Sequence, residues 1–282
     1  MTTSDDQTKH GQRGFTLLEL LVVTVIGGVL AALIVGVVQN GKETAQRTAC
    51  VSNLRQIGIA IGAYVADHDG MIPFGPKAPP FTSPSQLYPS TGAPTSLISL
   101  KGGEPVGLGL LLKPYLERKP TVLFCPGSDQ PVDAEAELAK VGKKQAQCSY
   151  YYRHAGNTEP FDNPRMPVDP ATIRLSNLGT NRDGDPVTAL VMDTMFDCDE
   201  GMSQFGVLPR SHHGGKFVNV LYVDGSVRSL PNTADRYRVD ITGGASAFSA
   251  FSLILKAYER ADDAQSGGAG DDTRITTEPR AP

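Results

Sequence analysis

Apolar residues near the N-terminus form one long uninterrupted block. Residues 15–38 are apolar except for Thr16, Glu19 and Thr24. As a helix rising about 1.5 Å per residue, this block is about 36 Å long, and a bilayer core is about 30 Å thick. A secretory signal peptide is the alternative, but its apolar core is usually only about 7–15 residues. We therefore predict a polar leader over residues 1–14 and a transmembrane helix over residues 15–39.

A second apolar pattern begins at Cys50 and has helical spacing. Its members recur every three or four residues and share one helix face; they are Cys50, Val51, Leu54, Ile57, Ile61, Tyr64 and Val65. We predict one continuous helix from about Phe15 to Asp67. Residues 40–70 form its amphipathic continuation, which lies on a globular body.

The rest of the chain has the short apolar runs of an α+β protein. Strands are expected in "CSYYYRH", "DPVTALVMD" and "GKFVNVLYVDGSVRSL", and short helices at residues 107–117 and in "VDAEAELAKVGKKQAQ". Residues 72–106 are rich in Pro, Ser and Gly and predict an irregular surface excursion. A last helix is expected at residues 247–258, and a disordered tail over residues 260–282. The predicted fold is a long N-terminal helix packed on an antiparallel β-sheet in a head of residues 71–259.

Composition excludes some partners and sites. The net charge of -4 over 282 residues gives no basic patch, so we expect no nucleic acid partner. The four cysteines contain no Cys-x-x-Cys pair, which excludes a zinc ribbon or a thioredoxin-type motif. A Cys125–Cys148 disulfide and buried reduced thiols both stay open.

The N-terminal stretch "RGFTLLELLVV" resembles the cleavage and methylation signature of type IV prepilins and type II secretion pseudopilins. The resemblance implies that a prepilin peptidase cuts after Gly14 and that Phe15 becomes the N-methylated first residue. It also implies a single pass through the inner (cytoplasmic) membrane, with the head in the periplasm or outside the cell.

Glu19 is the one charge inside the apolar block. An ionised carboxylate in hydrocarbon costs several kcal/mol, so it needs a partner. The resemblance supplies one, the α-amine of Phe15 on a neighbouring subunit, which would make Glu19 an assembly residue that sets register. The alternative is a side chain that reaches the lipid headgroups from a simple anchor.

Small residues at four-residue intervals lie on the same helix. Gly28, Ala32 and Gly36 would let two such helices approach closely in lipid. Chance occurrence in a span rich in alanine and glycine is the alternative.

A second resemblance covers parts of the head. "CVSNLRQIGIAIGAYVADHDGMIP", "FCPGSD" and "SYYYR" are similar to segments of prepilin-like bacterial proteins that carry a C-terminal His–spacer–Asp-Gly motif. Here that motif is His213, Asp224 and Gly225. We expect it to shape structure, with Gly225 supplying the positive φ of a two-residue hairpin turn.

Acidic loops raise the question of a metal. Calcium takes clustered loop oxygens, and the first candidates are Asp193, Asp197 and Asp199. The "NRDGD" loop is a weaker candidate, with Asn181, Asp183 and Asp185. Solvated acidic turns are the alternative. The chain has no His-x-His or His-Glu-x-x-His pattern, so we expect no catalytic residues and no enzyme.

Together these features predict a pilin-like assembly subunit of a type II secretion-like pseudopilus or a type IV pilus-like machine. The expected partners are other pilin-like subunits, a prepilin peptidase and inner-membrane lipid. The alternative is a membrane-tethered extracytoplasmic binding protein that does not polymerise.

Overall fold

The structure, a computed structural model, describes six segments of the chain: residues 16–75, 94–127, 132–154, 173–199, 209–243 and 247–265. Within these segments, the backbone of residues 31, 33–40, 247–249 and 251 is described, but their side chains are not. The chain divides into two compact units between Ala45 and Gln46. A long N-terminal helix followed by a five-stranded antiparallel sheet confirms the predicted pilin-like α+β class.

Helix α1 spans Leu17–Asp67, in agreement with the predicted continuous helix. It ends where Asp69 and Gly70 adopt positive φ and the Gly70 N–H bonds the Val65 carbonyl at 2.8 Å, as in a common helix C-terminal motif. All described side chains from residue 16 to residue 30 are exposed. From Cys50 onward, by contrast, one stripe is buried: Cys50, Leu54, Ile57, Ala60, Ile61 and Tyr64.

A helix that crosses a membrane must be both long enough and apolar over most of its length. Among the described residues, no helix combines the length and the apolar character needed to cross a bilayer. A transmembrane helix over residues 15–39 stays a prediction.

The sheet of the head has five strands. The strands of the chain are β1 (Thr95–Ser99), β2 (Ala146–Tyr152), β3 (Ala189–Asp193), β4 (Phe196–Asp197), β5 (Phe217–Tyr222), β6 (Val227–Pro231) and β7 (Val239–Asp240). The main sheet has the order β1-β2-β3-β5-β6 with every pair antiparallel, and β4 and β7 form a separate parallel pair.

Short helices and turns complete the head. Helix α2 spans Ala134–Leu138 and is capped by Asp133, whose Oδ1 accepts from the backbone N–H groups of Glu135 and Ala136. Helix α3 spans Ala247–Gln265. The 3₁₀ turns are Gly107–Leu111, Pro120–Leu123, His213–Gly215 and Thr233–Asp235. The helix expected at residues 107–117 is thus only a 3₁₀ turn.

Alternation along the strands gives the sheet two apolar faces. On β2, Tyr150 and Tyr152 belong to the core that includes the buried stripe of α1, whereas Tyr151 belongs to the core that includes α3. On β5, Leu221 belongs to the α1 core, and Val218 and Val220 belong to the α3 core. The sheet is therefore covered on one face by residues 50–64 and on the other by α3.

The prediction of an irregular excursion over residues 72–106 was wrong for its last part. Strand β1 lies within it, pairs with β2, and buries Leu97 and Ile98. The strand is only five residues long, TSLIS, and follows a Pro- and Ser-rich run, so composition concealed it. Residues 76–93 lie outside the described residues.

The prediction of a disordered tail from residue 260 was also wrong at its start. Helix α3 continues to Gln265, with Ala261 and Asp262 buried. The acidic composition was misleading because Asp262 pairs with Arg153 inside the head. Residues 266–282 lie outside the described residues.

The β5–β6 turn has three residues rather than two. Gly225 has φ +81°, as predicted. However, the Gly225 N–H bonds the Tyr222 carbonyl at 3.0 Å and the Tyr222 N–H bonds the Ser226 carbonyl at 2.9 Å. This is a three-residue hairpin loop with glycine at its left-handed position.

Candidate functional site

Glu19 caps the first turn of α1 within its own chain. Its Oε2 accepts from the Thr16 backbone N–H and from the Thr16 hydroxyl, both at 2.9 Å. The Glu19 N–H donates to Thr16 Oγ1 at 3.2 Å. This reciprocal arrangement is a capping box, which satisfies N–H groups that have no partner inside a helix.

Our sequence reasoning missed this local partner. The signal was present, because Thr-x-x-Glu before an apolar run is the sequence pattern of a capping box. Glu19 therefore has a role inside one subunit, and any pairing with a second subunit would come in addition.

The start of α1 presents apolar side chains all around. The large hydrophobics exposed there are Leu17, Leu18, Leu20, Leu21, Val22, Val23, Val25, Ile26, Val29 and Leu30. Leu17 is 83% exposed, and even the least exposed, Val22, is 45% exposed. Contiguous apolar surface of this extent marks a membrane or protein interaction site.

The structure describes only some of the other N-terminal candidate residues. Gly28 and Ala32 lie exposed on α1, and a Cβ added at Gly28 would meet nothing within 4 Å. Gly36 lies in the same helix, but its surroundings are not described. Gly14 and Phe15 lie outside the described residues.

The head contains a buried group of four chemically reactive side chains. One ligand atom from each of Cys50, Cys125, Asp193 and His213 lies within 4.8 Å of each of the others. Cys50 comes from the buried stripe of α1, Cys125 follows a 3₁₀ turn, Asp193 ends β3, and His213 begins the turn before β5. We call these four residues the Cys2AspHis cluster.

Short contacts connect the members of the Cys2AspHis cluster. The Cys50 thiol lies 3.2 Å from Asp193 Oδ1, and Cys125 Sγ lies 3.4 Å from His213 Nε2. His213 Nε2 lies 3.6 Å from Asp193 Oδ2. All four residues are at most 5% exposed, so water screens these contacts little.

A second layer of donors holds the cluster in place. Asn219 donates to Asp193 Oδ2 from both its backbone N–H and its Nδ2, each at 2.8 Å. The Gly127 N–H donates to Cys125 Sγ at 3.4 Å, and the Tyr150 hydroxyl lies 3.3 Å from Cys50 Sγ.

The pKa values of Cys50 and Asp193 are raised, whereas the pKa of Cys125 is lowered. Burial raises the pKa of the Cys50 thiol well above its usual value, and Cys125 and Asp193 raise it further. Burial also opposes ionisation of Cys125, but the nearby polar groups of Cys50, His212 and His213 outweigh it and lower the pKa of that thiol. Burial, followed by the Cys125 charge, raises the pKa of Asp193.

Of the two alternatives left open for Cys125 and Cys148, the structure shows buried reduced thiols and no disulfide between them. Both residues carry free thiols. Cys125 faces His213, whereas the Cys148 thiol donates to the Tyr150 carbonyl at 3.3 Å. Cys148 is enclosed in the α1 core, and burial raises its pKa to about 11.

The three aspartates proposed for calcium are not brought together. Asp193 belongs to the Cys2AspHis cluster, Asp197 accepts from Arg238 Nε at 2.6 Å, and Asp199 accepts from the Gly243 N–H at 2.7 Å. In the "NRDGD" loop, Asn181 Oδ1 accepts from the N–H groups of Asp183 and Asp185 and so closes a turn.

The His–spacer–Asp-Gly motif does not form one site. His213 lies in the buried cluster before β5, whereas Asp224 lies in the exposed turn after it. Asp224 Oδ1 accepts from the Ser226 N–H, and its Oδ2 accepts from Gln265 Nε2 at 3.0 Å, on the last residue of α3. The two ends of the motif therefore have separate structural roles.

Comparison with known proteins identifies the N-terminal segment. Residues 9–35 match the family model "Prokaryotic N-terminal methylation motif". The N-terminus of the chain is prepilin-like. The match includes the predicted cleavage position at Gly14, the residue Phe15, and Glu19.

Curated relatives agree on this prepilin-like segment. The chain is 44% identical over 63 residues to type II secretion system core protein G of Pectobacterium carotovorum subsp. carotovorum. It is 46% identical over 57 residues to the core protein G of Escherichia coli (strain K12). It is 32% identical over 62 residues to a ComG operon protein 3 homolog of Bacillus licheniformis.

The similarity covers a small part of the chain. The three matches cover 22%, 20% and 22% of this chain. The chain spans 40% and 39% of the two core protein G chains and 64% of the ComG homolog. No solved structure matches the chain.

Proposed function

We propose that this chain is a pilin-like structural subunit of a type II secretion-like pseudopilus or a type IV pilus-like machine. The observation that carries the proposal is the match of residues 9–35 to the prokaryotic N-terminal methylation motif. The similarity of 57–63 residues of the chain to type II secretion core protein G supports it.

The exposed apolar start of α1 supports the same role. Residues 17–30 bury no large hydrophobic side chain within the chain itself. A surface of this kind is stable only against lipid or against other apolar helices. In the proposed cycle, inner-membrane lipid covers it before assembly, and helices of other pilin-like subunits cover it afterwards.

Processing precedes assembly in the proposed cycle. A prepilin peptidase removes residues 1–14 after Gly14 and leaves a positively charged α-amine on Phe15, which is then methylated. A single pass of residues 15–39 through the inner membrane leaves the head on the extracytoplasmic side. This role is structural and needs no catalytic residue.

Glu19 has two separable tasks in this proposal. Within one subunit it caps α1 through Thr16. Between subunits its carboxylate neutralises the Phe15 amine of a neighbour, because either charge alone is costly in an apolar surrounding. The small residues Gly28, Ala32 and Gly36 would let the packed helices approach closely.

Two substitutions at Glu19 separate the two tasks. Glu19→Gln removes the charge, but glutamine can still take the capping-box position; Glu19→Leu removes both. We expect both variants to lose subunit multimers in cross-linked native membranes while the monomer stays membrane-bound. Intact-mass spectrometry should show that each monomer has lost residues 1–14 and gained one methyl group on Phe15.

Glu43→Leu is the matched control, because Glu43 is a glutamate of the same helix outside the apolar block. It should assemble as the parent chain does. If Glu19→Gln assembles normally, Glu19 acts as a cap only. If Glu19→Leu also assembles normally, neither task of Glu19 is needed for assembly, and if the parent chain itself gives no multimers, the chain is a tether that does not polymerise.

A further inference from the structure

We propose that Cys50, Cys125, Asp193 and His213 bind one zinc ion inside the head. The site is independent of the N-terminal assembly segment, and the sequence comparisons do not reach most of it, since they cover about a fifth of the chain.

The geometry of the cluster is close to that of a bound metal. Zinc bonds of about 2.0–2.3 Å to N, O and S in a tetrahedron place ligand atoms roughly 3.3–3.8 Å apart. Cys50 Sγ lies 3.2 Å from Asp193 Oδ1, Cys125 Sγ lies 3.4 Å from His213 Nε2, and His213 Nε2 lies 3.6 Å from the other Asp193 oxygen, Oδ2. Small side-chain movements would complete the tetrahedron.

The donor set selects the class of metal. Two thiolates, one imidazole and one carboxylate suit a borderline-soft transition metal such as zinc, whereas calcium and magnesium take oxygen ligands. Four protein ligands fill a tetrahedron and leave no position for a substrate. The expected role is therefore structural, like that of closed zinc sites.

Charge balance favours a cation at this position. The cluster holds three acidic groups in a buried place, and among the described residues no lysine or arginine forms an ion pair with Asp193. Buried charges are tolerated when they are paired or coordinate a metal. A divalent cation would supply the positive charge that no described lysine or arginine brings to Asp193.

Residues around the cluster form hydrogen bonds to its side chains, as the residues around metal ligands commonly do. Asn219 fixes the Asp193 carboxylate through two hydrogen bonds, and the Gly127 N–H supports the Cys125 sulfur. Such outer partners orient metal ligands. The neighbouring His212 is fully buried, and its Nε2 forms a hydrogen bond with the Thr194 hydroxyl at 2.9 Å. Its Nδ1 has no hydrogen-bond partner among the described residues.

The proposed histidine ligand, His213, has a strained backbone conformation. His213 has φ +54°, which is uncommon for a residue with a side chain. A Cβ at Gly127 would lie 2.3 Å from the His213 ring, so glycine is the residue that fits there. Strain of this kind is typical of functional sites.

The rival chemistry is a Cys50–Cys125 disulfide. The two sulfurs lie within 4.8 Å, and the proposed location of the head is oxidising. A disulfide would remove two of the four ligands, whereas zinc binding leaves both sulfurs reduced and releases their remaining thiol protons. The two states differ in mass and in metal content.

The test measures zinc by elemental analysis in the full-length protein, purified in detergent without chelators. We expect one zinc per chain in the parent protein and at least about a tenfold lower occupancy in Cys125→Ser and His213→Gln. Cys148→Ser is the matched control, since Cys148 is a buried thiol outside the cluster, and it should keep its zinc.

A second readout protects the test against variants that do not fold. In the parent protein, exchange of zinc for Co²⁺ should give thiolate-to-cobalt charge-transfer absorption and the visible bands of tetrahedral cobalt. Parent protein with no bound metal and no cobalt spectrum would overturn the proposal. So would a chain two hydrogen atoms lighter with a Cys50–Cys125 cross-linked peptide, or an equal zinc loss in Cys148→Ser.

Discussion

Two aspartates among the described residues, Asp262 and Asp193, are buried but have different partners. Asp262, on α3, is 2% exposed and bonds the Arg153 guanidinium at 2.8 Å. Asp193, at the end of β3, is fully buried, but its contacts are Asn219, a thiol and an imidazole. Asp262 is paired with an arginine, whereas Asp193 has no lysine or arginine partner among the described residues.

The difference shows what each site needs in order to be stable. Asp262 also accepts from the Thr188 and Ala189 N–H groups, at 2.9 and 2.8 Å, so the ion pair is hydrogen-bonded as well as neutral. Buried ion pairs are stable under those conditions. In the part of the chain that the structure describes, Asp193 has hydrogen bonds but no lysine or arginine partner, and this is the feature that the proposed zinc ion would complete.

Asp262→Asn should have the largest effect on this comparison. It leaves Arg153 buried without its counter-charge, and the expected loss is about 3–5 kcal/mol in free energy of unfolding. Denaturant unfolding of the full chain measures it. Adding Arg153→Met to Asp262→Leu should recover part of the loss, since an apolar pair replaces a broken ion pair.

Asp235→Asn is the control for this prediction, because Asp235 is an exposed aspartate whose side chain is 63% accessible. It should change stability by less than about 0.5 kcal/mol. A loss in Asp262→Asn no larger than in this control would mean that the Arg153 pair is not what stabilises the site.

Asn219→Ala should have the second-largest effect on stability, and it tests the site of Asp193. The variant keeps the backbone donor and removes Nδ2 from Asp193 Oδ2. We expect about 1–3 kcal/mol lower stability and about 10–100-fold weaker zinc binding, measured by competition with a chelator dye.

Asn177→Ala is the matched control, since Asn177 makes one exposed hydrogen bond to the Gly179 N–H. Its zinc affinity should equal that of the parent. If Asn219→Ala lowers stability but leaves zinc affinity unchanged, Asn219 is a packing residue and does not orient a ligand.

Thr188→Val should have the smallest effect. It removes the weak 3.3 Å bond from Thr188 Oγ1 to Asp262 Oδ1 and keeps the backbone bond at the same position. We expect a loss of about 0.5–1 kcal/mol in denaturant unfolding. A loss as large as that of Asp262→Asn would show that the hydrogen bonds, rather than the Arg153 charge, dominate the site.

Periodic elements could be predicted from the sequence, and the sites of the head could not. The 3–4 residue spacing from Cys50 to Tyr64 predicted the buried face of α1, and the runs around β3, β5 and β6 predicted their strands. Local patterns of this kind depend on neighbours along the chain. The pairs that form the buried sites are 143 residues apart for Cys50 and Asp193, and 109 for Arg153 and Asp262.

The cysteines show why the metal-like cluster was missed. Zinc motifs are recognised in sequences by short spacings such as Cys-x-x-Cys. Here each ligand comes from a different element, so no spacing identifies the set. Glu19 shows the opposite error: a search for a distant partner passed over the capping residue three positions away.

The two-sided strand β5 limits where this chain can gain or lose residues. Asn219 reaches the cluster on one side of the sheet, while Val218 and Val220 pack towards α3 on the other. A single insertion within residues 217–222 would exchange these sides and put an amide among apolar groups. Length changes between His213 and Asp224 should therefore be tolerated only in the Gly214–Lys216 bend or the turn at residues 223–225, so homologues of different spacer length are expected to differ there.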